Sequence, residues 1–321
     1  MKRHPFISAF LLLMTAAIWG AAFVAQSVGM EYVGPFTFNA IRTMIGAMVL
    51  FPVVLIRLGW SHLSYTSGNF LSVLYNQSDG NSSLFKKLIS SKHLWMGGIA
   101  CGTVLFIASS LQQFGIQYTS VGKAGFITAF YIVIVPLLGL FRGKKPGIML
   151  WAGVVLALIG FYLLCITGHS AINIGDVLIF LCAIMFALHI LVIDHFAPMT
   201  DAVAMSCIQF FVCGLLSTIM MLIFESPSAT AIRSAMPSLL YAGIMSCGVA
   251  YTLQIIGQKG LDPTIASLLL SLESVFAVWS EMLLLHKHLT TQEMVGCTCI
   301  FAAILLAQCP SVGSSSRNKS S

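Results

Sequence analysis

Two carboxylates sit in a stretch that is otherwise almost wholly apolar: Glu273 and Glu281, within SLLLSLESVFAVWSEMLLLHKH at residues 267–288. An acid in such surroundings must be hydrated, paired or protonated to be tolerated. Glu273 follows Pro263 by about ten residues, roughly 15 Å at 1.5 Å per residue, which is close to the middle of a bilayer. That depth makes it a candidate for binding substrate and for carrying a proton. Glu281 lies nearer the far interface, and is a second candidate for proton coupling. On a helical wheel Glu281 falls within about 40° of Ser267, with Ser271 and Ser274 on the same side, whereas Glu273 points roughly 100° away from Ser274. The two acids therefore belong to different faces.

Two basic residues, Arg42 and Lys123, also fall inside apolar runs. Each could hold a substrate carboxylate or phosphate, or could neutralise Glu281, whose depth they share. Lys123 is close enough to the start of its run to snorkel to the interface. Gln112 and Gln254 are amides within apolar runs, suited to contacting substrate or to bridging helices. Thr128, Tyr131, Ser271 and Ser274 add hydroxyls, and Trp19 beside Gly20 suggests an aromatic wall. Pro136 should break or bend its helix and free backbone groups. Catalytic and metal chemistry find less support. No Ser/His/Asp set shares a depth, His286 and His288 point apart at i, i+2, and the nine cysteines form no C-x-x-C pair. No glycine-rich phosphate loop is present. No cofactor and no metal is expected.

The elements that must position these groups follow from composition. The 321 residues are 58% hydrophobic and 8% charged, against roughly 25% charged in a soluble domain. Apolar runs recur near 6–28, 36–56, 94–117, 121–141, 147–167, 174–194, 202–224, 238–258, 263–285 and 291–309, each long enough to cross a ~30 Å hydrocarbon core. Helices are the expected element, because an open strand in lipid leaves its backbone unpaired and no barrel-type alternation is present. The fold class read from the sequence is all-α and integral to the membrane, with ten transmembrane helices. The start, MKRHPFISAFLLLMTAAIWGAAFVAQS, has the basic end and small-residue tail of a secretion signal, but its long apolar run reads better as a first span. With the N-terminus inside, Lys2, Arg3, Arg57, Lys86, Lys87, Lys92, Arg142, Lys144, Lys145, Lys259, Arg317 and Lys319 are all cytoplasmic, and only Arg233 and Lys287 lie outside. That bias puts both termini in the cytoplasm of a multi-pass protein of the inner (plasma) membrane.

The chain also repeats itself. SLQQFGIQYTS at 110–120 resembles TLQIIGQKGLD at 252–262, and residues 122–146 lie over 265–289 without gaps. AAIWGAAFV at 16–24 sits over CAIMFALHI at 182–190, which sets Arg42 on Gln209. Each half holds five spans, so the second half enters from the opposite side: two inverted-topology five-helix repeats, with a substrate site expected near midplane between them. The division is 1–171, 172–310 and a disordered cytoplasmic tail at 311–321. A polar loop at 57–93, carrying the Asn76 and Asn81 sequons, interrupts the first half and reads as mobile.

TSVGKAGFITAFYIVIVPLL, ASLLLSLESVFAVWSEMLLLHKHLTTQEMVG and AAIWGAAFV, in this order, resemble the EamA branch of the drug/metabolite transporter superfamily, over roughly residues 6–309. The resemblance implies a ten-helix bundle of two inverted repeats around a central cavity. It also implies movement of amino acids, nucleotide derivatives, sugars or other small polar metabolites, commonly outward and without nucleotide hydrolysis. Two positions depart from the family pattern: Lys287 replaces an acid that usually precedes Leu-Thr, and Ser274 replaces a proline that often follows the glutamate. The expected function is a secondary transporter, an exporter of a small polar metabolite such as an amino acid. The alternatives are an importer or exchanger of a nucleotide-linked metabolite and, in another class, a membrane enzyme using Glu273 and Glu281. The expected partners are a small-molecule substrate and the lipid bilayer, with no nucleic acid; a homodimeric state stays open.

Overall fold

A computed structural model describes residues 5–65, 91–141, 147–165, 173–286 and 291–308. The two sequons, Lys287, His288 and the tail from 311 lie outside the described residues. Within them every element is helical, with no strand. The helices are α1 (Pro5–Gly29), α2 (Pro35–Tyr65), α3 (Lys92–Ile116), α4 (Val121–Thr128), α5 (Tyr131–Phe141), α6 (Ile148–Cys165) and α7 (Ile174–Phe196). They are followed by α8 (Ala202–Phe224), α9 (Ala229–Leu240), α10 (Tyr251–Gln258), α11 (Pro263–Leu270), α12 (Glu273–Leu285) and α13 (Thr291–Gln308). Eight helical segments among the described residues are long and apolar enough to cross a membrane. A shorter apolar stretch, Trp151–Gly160, lies within α6. The protein is thus an all-helical, multi-pass membrane protein.

Local sequence sets the helix starts. Ser120 accepts the Lys123 N–H and so caps α4, and Asn173 and Asp176 exchange backbone bonds as a capping box on α7. Asp201 caps α8, and Asp262 precedes Pro263 at the start of α11. The start of α2 is held from elsewhere in the chain: the Glu225 carboxylate, just past α8, accepts the N–H groups of Phe36 and Thr37 at 2.9 and 2.8 Å. An acid at a helix N-terminus satisfies orphan donors and complements the helix dipole.

Three expectations need correction. The polar segment beginning at 57 is not a loop throughout: α2 continues to Tyr65, and α3 begins at Lys92. The run at 238–258 belongs to a longer element that starts at Ala229 and turns π-helical over Tyr241–Ala250. Pro237, one turn earlier, has no N–H to give the helical ladder, and the wider i→i+5 pattern follows it. Pro136 does not mark the break in its own span. That break falls at Ala129–Phe130, and α5 runs through the proline. There the backbone tightens, with Phe130 N–H on the Ile127 carbonyl and Val133 N–H on Phe130. A second break falls at Ser271–Leu272, with Leu272 N–H on Leu269 and Ser274 N–H on Ser271.

Packing brings the two breaks together. α1 runs along α12 and α11 on one side and along the 229–258 element on the other. α7 packs on α3 and on α4–α5, α2 packs on α8, and α6 and α13 pack along each other. Small residues permit the closest approaches. A Cβ on Gly20 of α1 would clash with the Phe276 Cβ and lie 2.6 Å from the Phe276 backbone carbon of α12. Gly20→Leu should therefore push α1 off α12 and lower the thermal midpoint of the detergent-solubilised protein. The expected cost is about 1–3 kcal/mol, as for other overpacked contacts. An unchanged midpoint would mean that the two helices do not meet at Gly20.

Candidate functional site

The two helix breaks and the π-helical segment border one small cavity, of about 30 Å³. α1 contributes a stripe at helical spacing: Trp19, Ala22, Phe23 and Gln26. α2 contributes Arg42 and α3 Gln112; Thr128 and Tyr131 flank one break, while Leu270 and Glu273 flank the other. Phe186 and Ile190 come from α7, and Ser246, Tyr251 and Gln254 from the π segment and α10. Aromatic rings make much of the wall, with Trp19 and Tyr251 at 4.6 Å between centroids and Phe210 supporting Tyr251 from behind at 5.3 Å.

The chamber holds one acid and one guanidinium, both buried and not paired with each other. Glu273 and Arg42 are each only 4% exposed. Glu273 opens α12, where the helix dipole favours a negative group. The Tyr131 hydroxyl, from the first residue of α5, donates to its Oε1 at 3.0 Å. One hydrogen bond thus joins the two half-helices that start at the breaks. Arg42 donates its Nε to Asn39 Oδ1 at 3.0 Å and lies 5.7 Å over the Phe38 ring. Gln112 reaches across to the Thr128 hydroxyl at 3.3 Å. Three further polar atoms of the wall have no hydrogen-bond partner: Trp19 Nε1, Gln26 Oε1 and Gln254 Oε1.

Of the residues singled out from the sequence, Trp19, Arg42, Gln112, Thr128, Tyr131, Gln254 and Glu273 line this cavity. Lys123, Ser271, Ser274 and Glu281 do not. The Lys123 ammonium pairs with Asp176 Oδ2 at 2.6 Å, and Asp176 also accepts from Thr119 and from the Asn173 N–H. Position near the start of α4 explains this: Lys123 reaches toward the α7 start rather than inward. The Ser271 and Ser274 hydroxyls are spent on the Leu268 and Ser271 carbonyls at 2.7 Å each, inside a fully packed helix face. Glu281 accepts the Gly122 N–H at 3.1 Å, on the face that α12 turns toward α4. Sequence reasoning missed Gln26, Phe23, Ser246, Tyr251 and Phe186. The Trp19–Ala22–Phe23–Gln26 spacing would have found the α1 members, since it ends on a lone amide in an apolar span.

A buried acid, a buried guanidinium and unpartnered amides in one chamber of a membrane-spanning bundle define a polar binding cavity in lipid, as a transporter of small molecules requires. The sequence profile of the EamA-like transporter family matches residues 6–78, 82–166 and 173–308, and the chain belongs to this family of the drug/metabolite transporter superfamily. An "Uncharacterized transporter" of Archaeoglobus fulgidus is 27% identical over 299 residues, covering 92% of this chain and 83% of its own. "Uncharacterized transporter YoaV" of Bacillus subtilis is 23% identical over 304 residues, covering 92% and 94%. A solved structure titled "Crystal structure of protein" shares the fold, with a TM-score of 0.70 at 19% identity over 97% of this chain and 98% of the other. The protein is a membrane transporter and not an enzyme.

The Lys123–Asp176 pair should act as a structural tie. Lys123→Met is expected to lower stability by about 1.5–3 kcal/mol. The added loss from Asp176→Asn in that background should be smaller than Asp176→Asn alone, because the pair acts as a unit. Thermal melts of the four proteins check this, and strict additivity would remove the tie.

Proposed function

We propose that the protein exports a small polar metabolite, such as an amino acid, across the inner (plasma) membrane by alternating access, with both termini in the cytoplasm. The observation that carries this reading is the chamber itself: Glu273 and Arg42 buried in one cavity, bordered by two broken helices. The moving parts on this reading are two inverted five-helix repeats, 1–171 and 172–310, making ten spans when α6 and α13 are counted. The pairwise packing supports it. α1 lies on the 229–258 element as α7 lies on α3, and α1 lies on α11–α12 as α7 lies on α4–α5. α2 meets α8 and α6 meets α13, as elements related by a twofold would. The breaks at Ala129–Phe130 and Ser271–Leu272 lie within one residue of matching positions of the two repeats.

Three carboxylates of the second half hold helix starts of the first half at one end of the bundle. Glu225 binds the start of α2, Glu281 the Gly122 N–H of α4, and Asp176 the ammonium of Lys123. Rocking of the repeats would separate these contacts and open the chamber at that end. Glu273 is the group proposed to carry the coupling proton, because it is the acid that both cavity and helix break expose to cargo. Tyr131 would hold the carboxyl in place through its hydroxyl.

Purified protein in liposomes loaded with labelled metabolites should release them chemically unaltered. An imposed pH gradient should drive their accumulation against a concentration difference. Glu273→Gln should reduce that gradient-driven accumulation at least ~10-fold while assembling like the parent; the amide keeps the shape but cannot exchange a proton. Accumulation equal to the parent would leave Glu273 a structural group only. Tyr131→Phe should keep transport but displace its pH profile, since it removes one hydrogen bond from the carboxyl. A superimposable profile would separate Tyr131 from the coupling step.

A further inference from the structure

We propose that Arg42 is the specificity-determining residue of the chamber, reading a carboxylate on the cargo, so that the protein accepts molecules bearing both a carboxylate and a cationic group. The proposal rests on the transport reading above and names its substrate class.

Arg42 is buried among lining residues, and its Nε is already committed to Asn39. No further hydrogen bond to its guanidinium comes from the described residues, and no carboxylate among them pairs with it. The bond to Asn39 and the Phe38 ring fix the plane of the group. What remains are the two Nη nitrogens, the fork that matches the two oxygens of a carboxylate. A buried cation without an anion is costly, and an anionic cargo is the missing partner. Lys123 would be the obvious rival receptor, but its ammonium is taken by Asp176.

Charge arithmetic then narrows the anion. Among the described residues the chamber holds one guanidinium and one lining carboxyl group, Glu273. A phosphate diester or diphosphate would set one or two negative charges against one cation, with an acid in the same lining. A carboxylate accompanied by an ammonium instead places its anion on Arg42 and its cation toward Glu273. The unpartnered acceptors Gln26 Oε1 and Gln254 Oε1 suit the N–H groups of that ammonium, and Trp19 Nε1 suits a carboxylate oxygen.

The full-length protein in liposomes would be assayed by counterflow of an equimolar mixture of labelled proteinogenic amino acids, and those taken up identified. Unlabelled competitors would then be the same amino acids, their C-terminal amides, the corresponding decarboxylated amines and a nucleoside monophosphate. The amides and amines should compete roughly 10- to 100-fold less well than the acids, the size expected for loss of a charge-assisted bond. Arg42→Gln should bring acids and amides to equal, weak competition, and Arg42→Lys should recover part of the discrimination. If amino acids are carried but their amides compete equally well, Arg42 does not read the carboxylate, while the transport reading stands. Competition by the nucleoside monophosphate in place of the acids would overturn the proposal in favour of a phosphate receptor. If no labelled amino acid moves, the amino-acid reading itself fails and this inference falls with it. Should Arg42→Gln not assemble, the competitor series on the parent protein decides alone.

Discussion

A charge inside a bilayer has no solvent to fall back on, and the burial of Glu273 and Arg42 is the constraint around which this protein is arranged. An acid or base at such depth costs at least ~2.5–3.5 kcal/mol even on lenient insertion scales. It persists only where other polar groups or water replace its hydration. The chain meets that condition by concentrating polar side chains from α1, α2, α3, α10 and the two broken spans around one volume. Elsewhere the ionisable groups of the helix ends are met locally: Lys123 by Asp176, Glu281 by a backbone N–H, and Glu225 by the start of α2.

The helix breaks follow from the same constraint. A continuous helix satisfies all its backbone groups internally and offers a ligand only side chains. Interrupting two spans near mid-depth makes two new helix starts inside the protein, one at Tyr131 and one at Glu273. Glu273 sits where the positive end of α12 lowers the cost of a negative group, and Tyr131 arrives from the opposing break to share its hydrogen bond. Glycine makes this approach feasible: a Cβ at Gly125 would lie 3.1 Å from that of Ala277, so α4 and α12 run nearly backbone to backbone. The π-helical segment from Tyr241 to Ala250 adds a third irregular wall and brings Ser246, Tyr251 and Gln254 to the chamber.

Much of this architecture was legible before any coordinates. Span-length apolar runs, with so few charges, leave helices in lipid as the workable solution, and eight of those runs appear as crossing-length helices among the described residues. Residue type and depth also picked out Glu273, Arg42, Gln112 and Gln254, because ionisable and amide groups are rare enough in such runs to stand out. Azimuth was harder. Lys123 has the type of a cargo ligand and turns to Asp176 instead; Ser271 and Ser274 have suitable hydroxyls but donate them to carbonyls three residues back. Nothing in a single sequence says which neighbour a side chain will find. The position of a break is likewise hidden: Pro136 announces irregular backbone, yet the interruption falls before Tyr131, where the contact with the opposing span is made.

Unsatisfied polar atoms occur both at the chamber and away from it, at Gln113 and Gln258 for example, and what marks the chamber is that three of them meet a charged pair of side chains in one lining. Ser267, Ser271 and Ser274 are fully buried, and each closes its hydrogen bond on the carbonyl three residues back. These serines act as small residues that let helices meet. Trp19 Nε1, Gln26 Oε1 and Gln254 Oε1 face the chamber with nothing to bond. Leaving a buried polar atom unpaired costs about 1–3 kcal/mol, and an apolar residue of similar shape would avoid that cost. A fold selected for stability alone would make that replacement. A transporter has reason to keep them, because its cargo must be bound by groups that water can serve equally well once the cargo has left. Fixed partners would make the chamber rigid and its cargo slow to release; open ones let binding and release stay close in free energy. The same logic applies to Arg42, held in orientation through Nε while its outer nitrogens stay uncommitted. Orientation is built into the fold, and the final hydrogen bonds are left for the molecule that passes through.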